Sequence, residues 1–393
     1  MKAVKTIAAL IFLTALALVL VQPVLNADDE PSSRARGGGP SETPGEPEDD
    51  KVELIARYPK RCMRPVETSS SSYVAARRGS RALIGPPGGP PVAAIPVDGD
   101  VAWSASGRFL AERGGIVVDR GGTPRGALFY RPAQWQWSPV ADCALAVTEN
   151  GTLTYSISGT PRLGIKLLDA PVEEFDFSPN GRRLALVVEG RGLFVANLEL
   201  GPVVQETDGP ASLVGWFSNR SVLYSKSEGS GKLRFAIGSG KTTVVRGARA
   251  GGTFVRCRDR RLLAALATEA TPPLAELVSL GGGMKREVLA APPARYDGYS
   301  DATCSPNGRF LAASALKRSG AKGPLVLLRS DGTFVRVLAP GRTANPEWSE
   351  DGLLFVKFGA AGRGRLWVMP PGARPAPTEY RVGGPGQYDW HTG

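Results

Sequence analysis

The chain has 393 residues, of which 42% are hydrophobic, with 49 glycines and 33 prolines. That supplies a large core, excludes a wholly disordered chain, and suits many short strands joined by turns. The net charge is +11 and there is one histidine, which argues against Ser-His-Asp, Cys-His and His-based metal chemistry.

Lys2 and Lys5 precede an apolar stretch from Ile7 to Val21, closed by Gln22 and Pro23. A charged start followed by an apolar middle is the pattern of export. Residues 1–27 are expected to be a signal peptide, cut near Leu25-Asn26-Ala27, or an uncleaved anchor with its lysines in the cytoplasm. Both alternatives put the rest of the chain outside the cytoplasm. Residues 28–50, DDEPSSRARGGGPSETPGEPEDD, are acidic, rich in Pro, Gly and Ser, and without apolar periodicity. They read as a disordered linker. The folded domain is expected over 51–393. Its lysines and arginines are scattered without a dense run, so the basic balance reads as a soluble surface and not as a nucleic-acid site.

Self-similarity dominates the remainder. VAWSASGRFLAE (101–112), FDFSPNGRRLALVV (175–188), ATCSPNGRFLAAS (302–314) and PEWSEDGLLFVKF (346–358) share one plan. A large residue leads into a Ser-Pro-Asn-Gly-like turn, and an apolar strand follows. The landmark residues are Trp103, Trp137, Phe177, Trp216, Arg256, Cys304 and Trp348. They recur at intervals of roughly 40 residues, enough for a four-stranded unit. Tyr388-Asp389-Trp390 begins one more unit that has no room to finish. At the other end, Tyr73–Arg77, Arg81–Ile84 and Val92–Ile95 read as three strands without a leading landmark. The fragments are complementary. They predict an all-β propeller of four-stranded blades, eight in number, with a closing blade split between the two ends of the chain. Seven blades is the alternative, should the N-terminal strands form an irregular cap.

The repeated W-S-P-N-G-R-x-L-A type motif resembles the TolB-like branch of WD-repeat-like propellers, over roughly 73–390. The sequence departs from it at Arg256, Cys304 and the Val140-Ala141 insertion. TolB-like proteins are periplasmic interaction partners, so the resemblance implies protein binding without naming the partner.

The landmark aromatics Trp103, Trp137, Phe177, Trp216, Trp348 and Trp390 are expected to pack as core between blades. The serines of the turns are expected to bond nearby backbone. GSGKTT (238–243) imitates the end of a phosphate-binding loop, but Phe235 stands where that motif needs glycine, so it reads as a hairpin turn. Four cysteines in an exported chain favour disulfides, and three pairings are open. Cys257–Cys304 is favoured because those residues occupy nearly matching places in consecutive repeats. Cys62–Cys143 is favoured because it pins the N-terminus.

One position lies between each landmark and the large residue two before it. Its occupants include Gln136, Asp176, Glu347 and Asp389. If the landmark strands line the axis, these four stand near the channel, as ligands for a cation or small polar molecule or as hydrogen-bonding links to the next blade. No catalytic residue, metal site or cofactor emerges. The sequence therefore points to an extracytoplasmic binding scaffold for a protein or an envelope polymer. A channel-mouth enzyme of hydrolase, lyase or quinoprotein type, and a sensor of glycans or anionic polymers, are the alternatives.

Overall fold

The computed structural model describes residues 52–391 except 130–131, 158–164, 200, 227–231, 237–241, 257–261, 269–274, 281–285, 291, 318, 361 and 385–386, and gives the backbone alone for the described residues of 232–290. The expected export segment (1–27), the expected linker (28–50), the expected hairpin turn at 238–241 and Cys257 thus lie outside the described residues. Residues 51–393 form one compact unit.

Short apolar runs broken by turns become antiparallel strands, and these assemble as a β-propeller. Among the described residues there are six four-stranded sheets and one of seven strands. The larger sheet is two blades joined. Its long strand Thr242–Arg256 pairs through residues 242–244 with Lys232–Ala236 and through 252–256 with Leu262–Thr268. The outermost strand of one blade thereby runs on as the innermost strand of the next, and the ring has eight blades.

Blades 1–7 follow chain order, with inner strands Val101–Trp103, Gln134–Trp137, Val172–Phe177, Ala211–Ser218, the end of Thr242–Arg256, Gly298–Cys304 and Arg342–Ser349. Blade 8 has Tyr388–His391 innermost, followed by Tyr73–Arg78, Arg81–Gly85 and Ala93–Pro96. Val74 pairs with Trp390 and Ala75 with Asp389 in a regular ladder. That ladder sets aside the seven-bladed alternative, because the N-terminal strands are full sheet members and not a cap.

The Ser-Pro-Asn-Gly segments are tight connections from first to second strand. In blade 3, Ser178 Oγ accepts from the Arg183 amide at 2.9 Å and donates to Asn180 Oδ1 at 2.8 Å. Blade 6 repeats this through Ser305, Asn307 and Phe310 at 2.8 and 2.9 Å. Gly181 and Gly308 close these turns at φ 65° and 70°, a conformation that a side chain resists.

The apolar cores lie between blades. Trp103 packs with Ala75, Ile84 and Ile95 of blade 8. Trp137 packs with Ala111 and Val117 of blade 1. Phe177 packs with Leu145 and Leu153 of blade 2, and Trp216 with Val187 and Leu193 of blade 3. Trp390 sits with Leu354 and Leu366 of blade 7. Each landmark aromatic thus faces the preceding blade. Trp348 also packs against blade 6 but is only half-buried.

Before entering blade 8, the chain crosses blades 2 and 3. Leu54 bridges to Leu168, and the Ile55 amide donates to the Leu167 carbonyl at 3.0 Å. Tyr58 makes an edge contact with Tyr155, with ring centroids 5.6 Å apart. Cys62, in the one-turn helix Lys60–Met63, is disulfide-bonded to Cys143 at the start of Cys143–Val147. Cys304 is also disulfide-bonded.

The Cys62–Cys143 bond spans 81 residues. By loop-closure entropy a bond of that span is worth about 4.5 kcal/mol. The Cys62→Ser/Cys143→Ser variant is expected to melt several degrees lower with unchanged circular dichroism at room temperature. An unchanged melting point would show that the segment 52–66 is held without the bond.

Candidate functional site

The innermost strand of each blade has one free edge facing the axis, and its unpaired amides need partners. At four junctions among the described residues the preceding blade supplies them. Asp389 of blade 8 accepts from the Trp103 amide of blade 1 at 2.6 Å. Gln134 of blade 2 accepts from the Phe175 amide at 3.1 Å and donates to the Phe175 carbonyl at 2.9 Å. Glu174 of blade 3 accepts from the Leu213 amide at 2.7 Å. Asp301 and Thr303 of blade 6 accept from the Asn345 and Trp348 amides, both at 3.3 Å. Two of the landmark indoles bond in the reverse direction. Trp137 Nε1 donates to the Ala102 carbonyl at 2.9 Å, and Trp216 Nε1 to the Asp176 carbonyl at 3.0 Å.

The four candidate channel residues divide. Gln136, Asp176, Glu347 and Asp389 are all half-buried on inner strands. Gln136 Nε2 donates to Asp176 Oδ1 at 3.1 Å, which couples blades 2 and 3. Asp389 is the link to Trp103. Glu347 forms no hydrogen bond among the described residues, yet it stands close enough to Asp389 for their charges to repel. The structure therefore assembles two pairs, Gln136 with Asp176 and Glu347 with Asp389. Among the described residues no group of acids, cysteines or histidine is arranged to hold a metal ion.

Three further residues shape the Glu347 side of the channel. The strand Arg342–Ser349 shifts register between Ala344 and Glu347, and Asn345 adopts φ 47°. Asparagine tolerates that left-handed conformation better than most residues, and a bulge re-aims the side chains beyond it. The bulge is held from both sides. Asp301 takes the Asn345 amide, and the Tyr388 hydroxyl donates to the Asn345 carbonyl. Asp301 and Asn345 were not singled out from the sequence, and Tyr388 only as the start of the closing strand. The Asn345-Pro346 dipeptide was the available signal, because it marks a break in a strand.

Desolvation dominates the electrostatics. Burial raises the Glu347 carboxyl well above its ordinary range, and the nearby Asp389 raises it further. Burial also raises Asp389, to about 6, against the opposing bonds from the Trp103 and Trp390 amides. Asp176 is raised by burial, with the bond from Gln136 opposing. Tyr388 is raised by burial and then by the charge of Glu347. A cavity of about 620 Å³ opens along this channel beside blades 1 and 2, lined by Trp103, Arg113, Trp135, Gln136, Trp137 and Asp389. Trp135 and Trp137 meet edge to face within it, with centroids 6.4 Å apart. The cavity offers three indoles (Trp103, Trp135 and Trp137), the amides of Gln134 and Gln136, the Arg113 guanidinium and the carboxyls of Asp100 and Asp389.

His391 closes the ring beside this channel, buried on the last strand and packed against Gly107. Burial and the Arg120 charge lower its affinity for a proton, with Asp142 opposing.

No protein-family model matches the chain, and no curated protein sequence matches it. Solved structures do. The dihydro-heme d1 dehydrogenase NirN in complex with DHE superposes with a TM-score of 0.59 at 13% identity, over 84% of this chain and 79% of that one. The C-terminal WD40 domain of Sif2 has a TM-score of 0.49 at 13% identity, over 68% of this chain and 80% of its own. TolB from Acinetobacter baumannii has a TM-score of 0.39 at 15% identity, over 62% of this chain and 63% of its own. At such identities the likeness to NirN is one of fold. The chain is a β-propeller.

Two titrations follow. Glu347 has a folded pKa above its unfolded value, so the folded state holds a proton that the unfolded state releases, and stability falls as pH rises through that window. Glu347→Gln removes this loss. Its melting point is expected to exceed that of wild type by about 2 °C at about pH 7.5, with the gap closing near pH 4. His391 has the opposite sign. Its folded pKa is depressed, so the unfolded state binds more protons below about pH 6.5 and stability falls as pH drops. Melting curves of His391→Gln against wild type are expected to converge on acidification below that pH. Parallel curves would show that His391 does not titrate between the two states.

Proposed function

We propose that the chain is a TolB-like extracytoplasmic binding scaffold whose partner is a protein. The observation that carries this reading is the strand Phe334–Ala339, the outermost of blade 6. It presents Phe334, Val335 and Val337 to solvent at 53%, 40% and 45% exposure. Single exposed apolar side chains are ordinary, but three on one short strand at the rim of a rigid disc mark an interaction surface. The cross-blade hydrogen bonds favour rigidity, and a preorganised surface loses little entropy on binding.

An extracytoplasmic setting is supported by the Cys62–Cys143 disulfide together with the export-type N-terminus. The TolB-like assignment rests on the W-S-P-N-G-R-x-L-A type repeats. A second reading, recognition of a small polar ligand, is favoured by the channel cavity with its Trp135 face and the Gln136 and Asp389 groups.

The test is affinity capture from solubilised envelope with the full oxidised chain, run in parallel with Phe334→Ser/Val337→Ser. A protein partner held by wild type at physiological ionic strength and lost from the variant is the expected result. A partner retained equally by both would overturn the assignment to this strand. Protein-free material released by salt would favour an anionic polymer, since charge attraction is screened.

A further inference from the structure

Beside the strand Phe334–Ala339 a cavity of about 290 Å³ separates blades 6 and 7, lined by Arg336, Val337, Lys357, Trp367 and Arg374, with Leu338–Pro340 and Pro375. Three cations converge on it, and no acidic side chain lines it. Some basic side chains elsewhere on the ring meet acids. Arg77 pairs with Asp100 at 3.1 Å, Arg125 with Asp119 at 2.5 Å, and Lys226 with Asp208 at 3.1 Å. Arg336 and Arg374 are exposed and have no acid within ion-pair distance among the described residues. Lys357 holds its ammonium 4.5 Å from the centroid of half-buried Trp367, leaving the charge unneutralised.

We propose that this cleft docks a protein segment carrying carboxylates beside apolar side chains, which names the partner chemistry of the surface described above and rests on that reading. The carboxylates meet Arg336 and Arg374, whose guanidinium groups accept them in two-pronged fashion. The apolar side chains cover Val337, Phe334 and the open part of Trp367. Docking is through side chains and not by an added strand. The pairing of Phe334–Ala339 with Lys322–Arg329 shifts register twice, which breaks the even row of amides and carbonyls that strand addition needs. A nucleic acid or phosphate polymer satisfies the arginines but leaves the aliphatic run uncovered, so the combination favours an acidic and apolar protein segment.

The probe is a fluorescein-labelled synthetic peptide alternating Glu with Leu and Phe. It is compared with an analogue bearing Gln in place of Glu and with a second bearing Ser in place of Leu and Phe. Anisotropy is read with the full chain, Arg336→Glu/Arg374→Glu, Phe334→Ser/Val337→Ser, and Arg220→Glu as a distant charge control, all confirmed folded by their melting curves. The expected result is at least about tenfold weaker binding for both analogues and for both cleft variants, with Arg220→Glu unchanged. If the Gln analogue binds as well as the parent while Phe334→Ser/Val337→Ser still loses it, the acidic preference is overturned and the protein-binding surface stands. No binding of the parent peptide, or equal loss in Arg220→Glu, overturns the cleft assignment. An oligonucleotide that competes as well as the parent peptide does the same. Sedimentation showing self-association through this face, abolished by Phe334→Ser/Val337→Ser, assigns the surface to a second copy of the chain and overturns the proposal.

Discussion

Each blade ends, toward the axis, in a strand whose backbone has hydrogen-bonded on one side only. Eight such edges in a ring are eight rows of amides and carbonyls in a narrow space, and leaving them unpaired and shielded from water costs more than most side-chain contacts return. This chain meets the constraint with side chains sent from one blade to the backbone of the next, as Asp389 does to Trp103, Gln134 to Phe175, Glu174 to Leu213 and Thr303 to Trp348. The indoles of Trp137 and Trp216 return the bond to the preceding blade while filling the space behind it. Apolar packing and backbone satisfaction are therefore carried by the same few residues on the same short strands.

The arrangement has an electrostatic cost. A carboxylate is a strong acceptor for a buried amide, but several of them around one axis repel one another and lose hydration. Asp389 serves the amide of Trp103 and stands beside Glu347, which serves none among the described residues. The result is a pair of raised acids at the junction of blades 7 and 8, next to a strand bulge fixed by Asp301 and Tyr388. Where neutral Thr303 does the same work, no such tension arises.

Much of the ring was legible because its signals are local. Trp103 and Phe177 sit beside the turns that define their repeats, and the split closing blade showed itself as two incomplete repeats of complementary content. The inner-strand placement of Gln136, Asp176, Glu347 and Asp389 could be read from the repeat landmarks and strand alternation together. Cross-blade partners such as Glu174 and Asp301 were not legible, because their choice depends on which amide of a separate blade falls opposite. Trp348 was expected to be core but is half-buried, since its neighbours at the bulge in Arg342–Ser349 do not close over it. The basic cleft was also hidden. Arg336 is on the outer strand of blade 6 and Arg374 in the loop before the outer strand of blade 7, and only the approach of the two blades brings their charges together.

Blade 8, drawn from distant parts of the chain, also bears on the order in which the molecule is built. Tyr73–Arg78 is among the first parts of the domain to be made, and Tyr388–His391 is among the last. Until that final strand arrives, Val74 and Ala75 have an exposed apolar edge, and the packing surface of blade 7 lacks Trp390. Contacts this distant in sequence slow folding, because the loop between them must be closed before they contribute. The ring therefore behaves as a timer. The intermediate blades can form early and locally, but the ring closes only when Tyr388–His391 reaches Tyr73–Arg78.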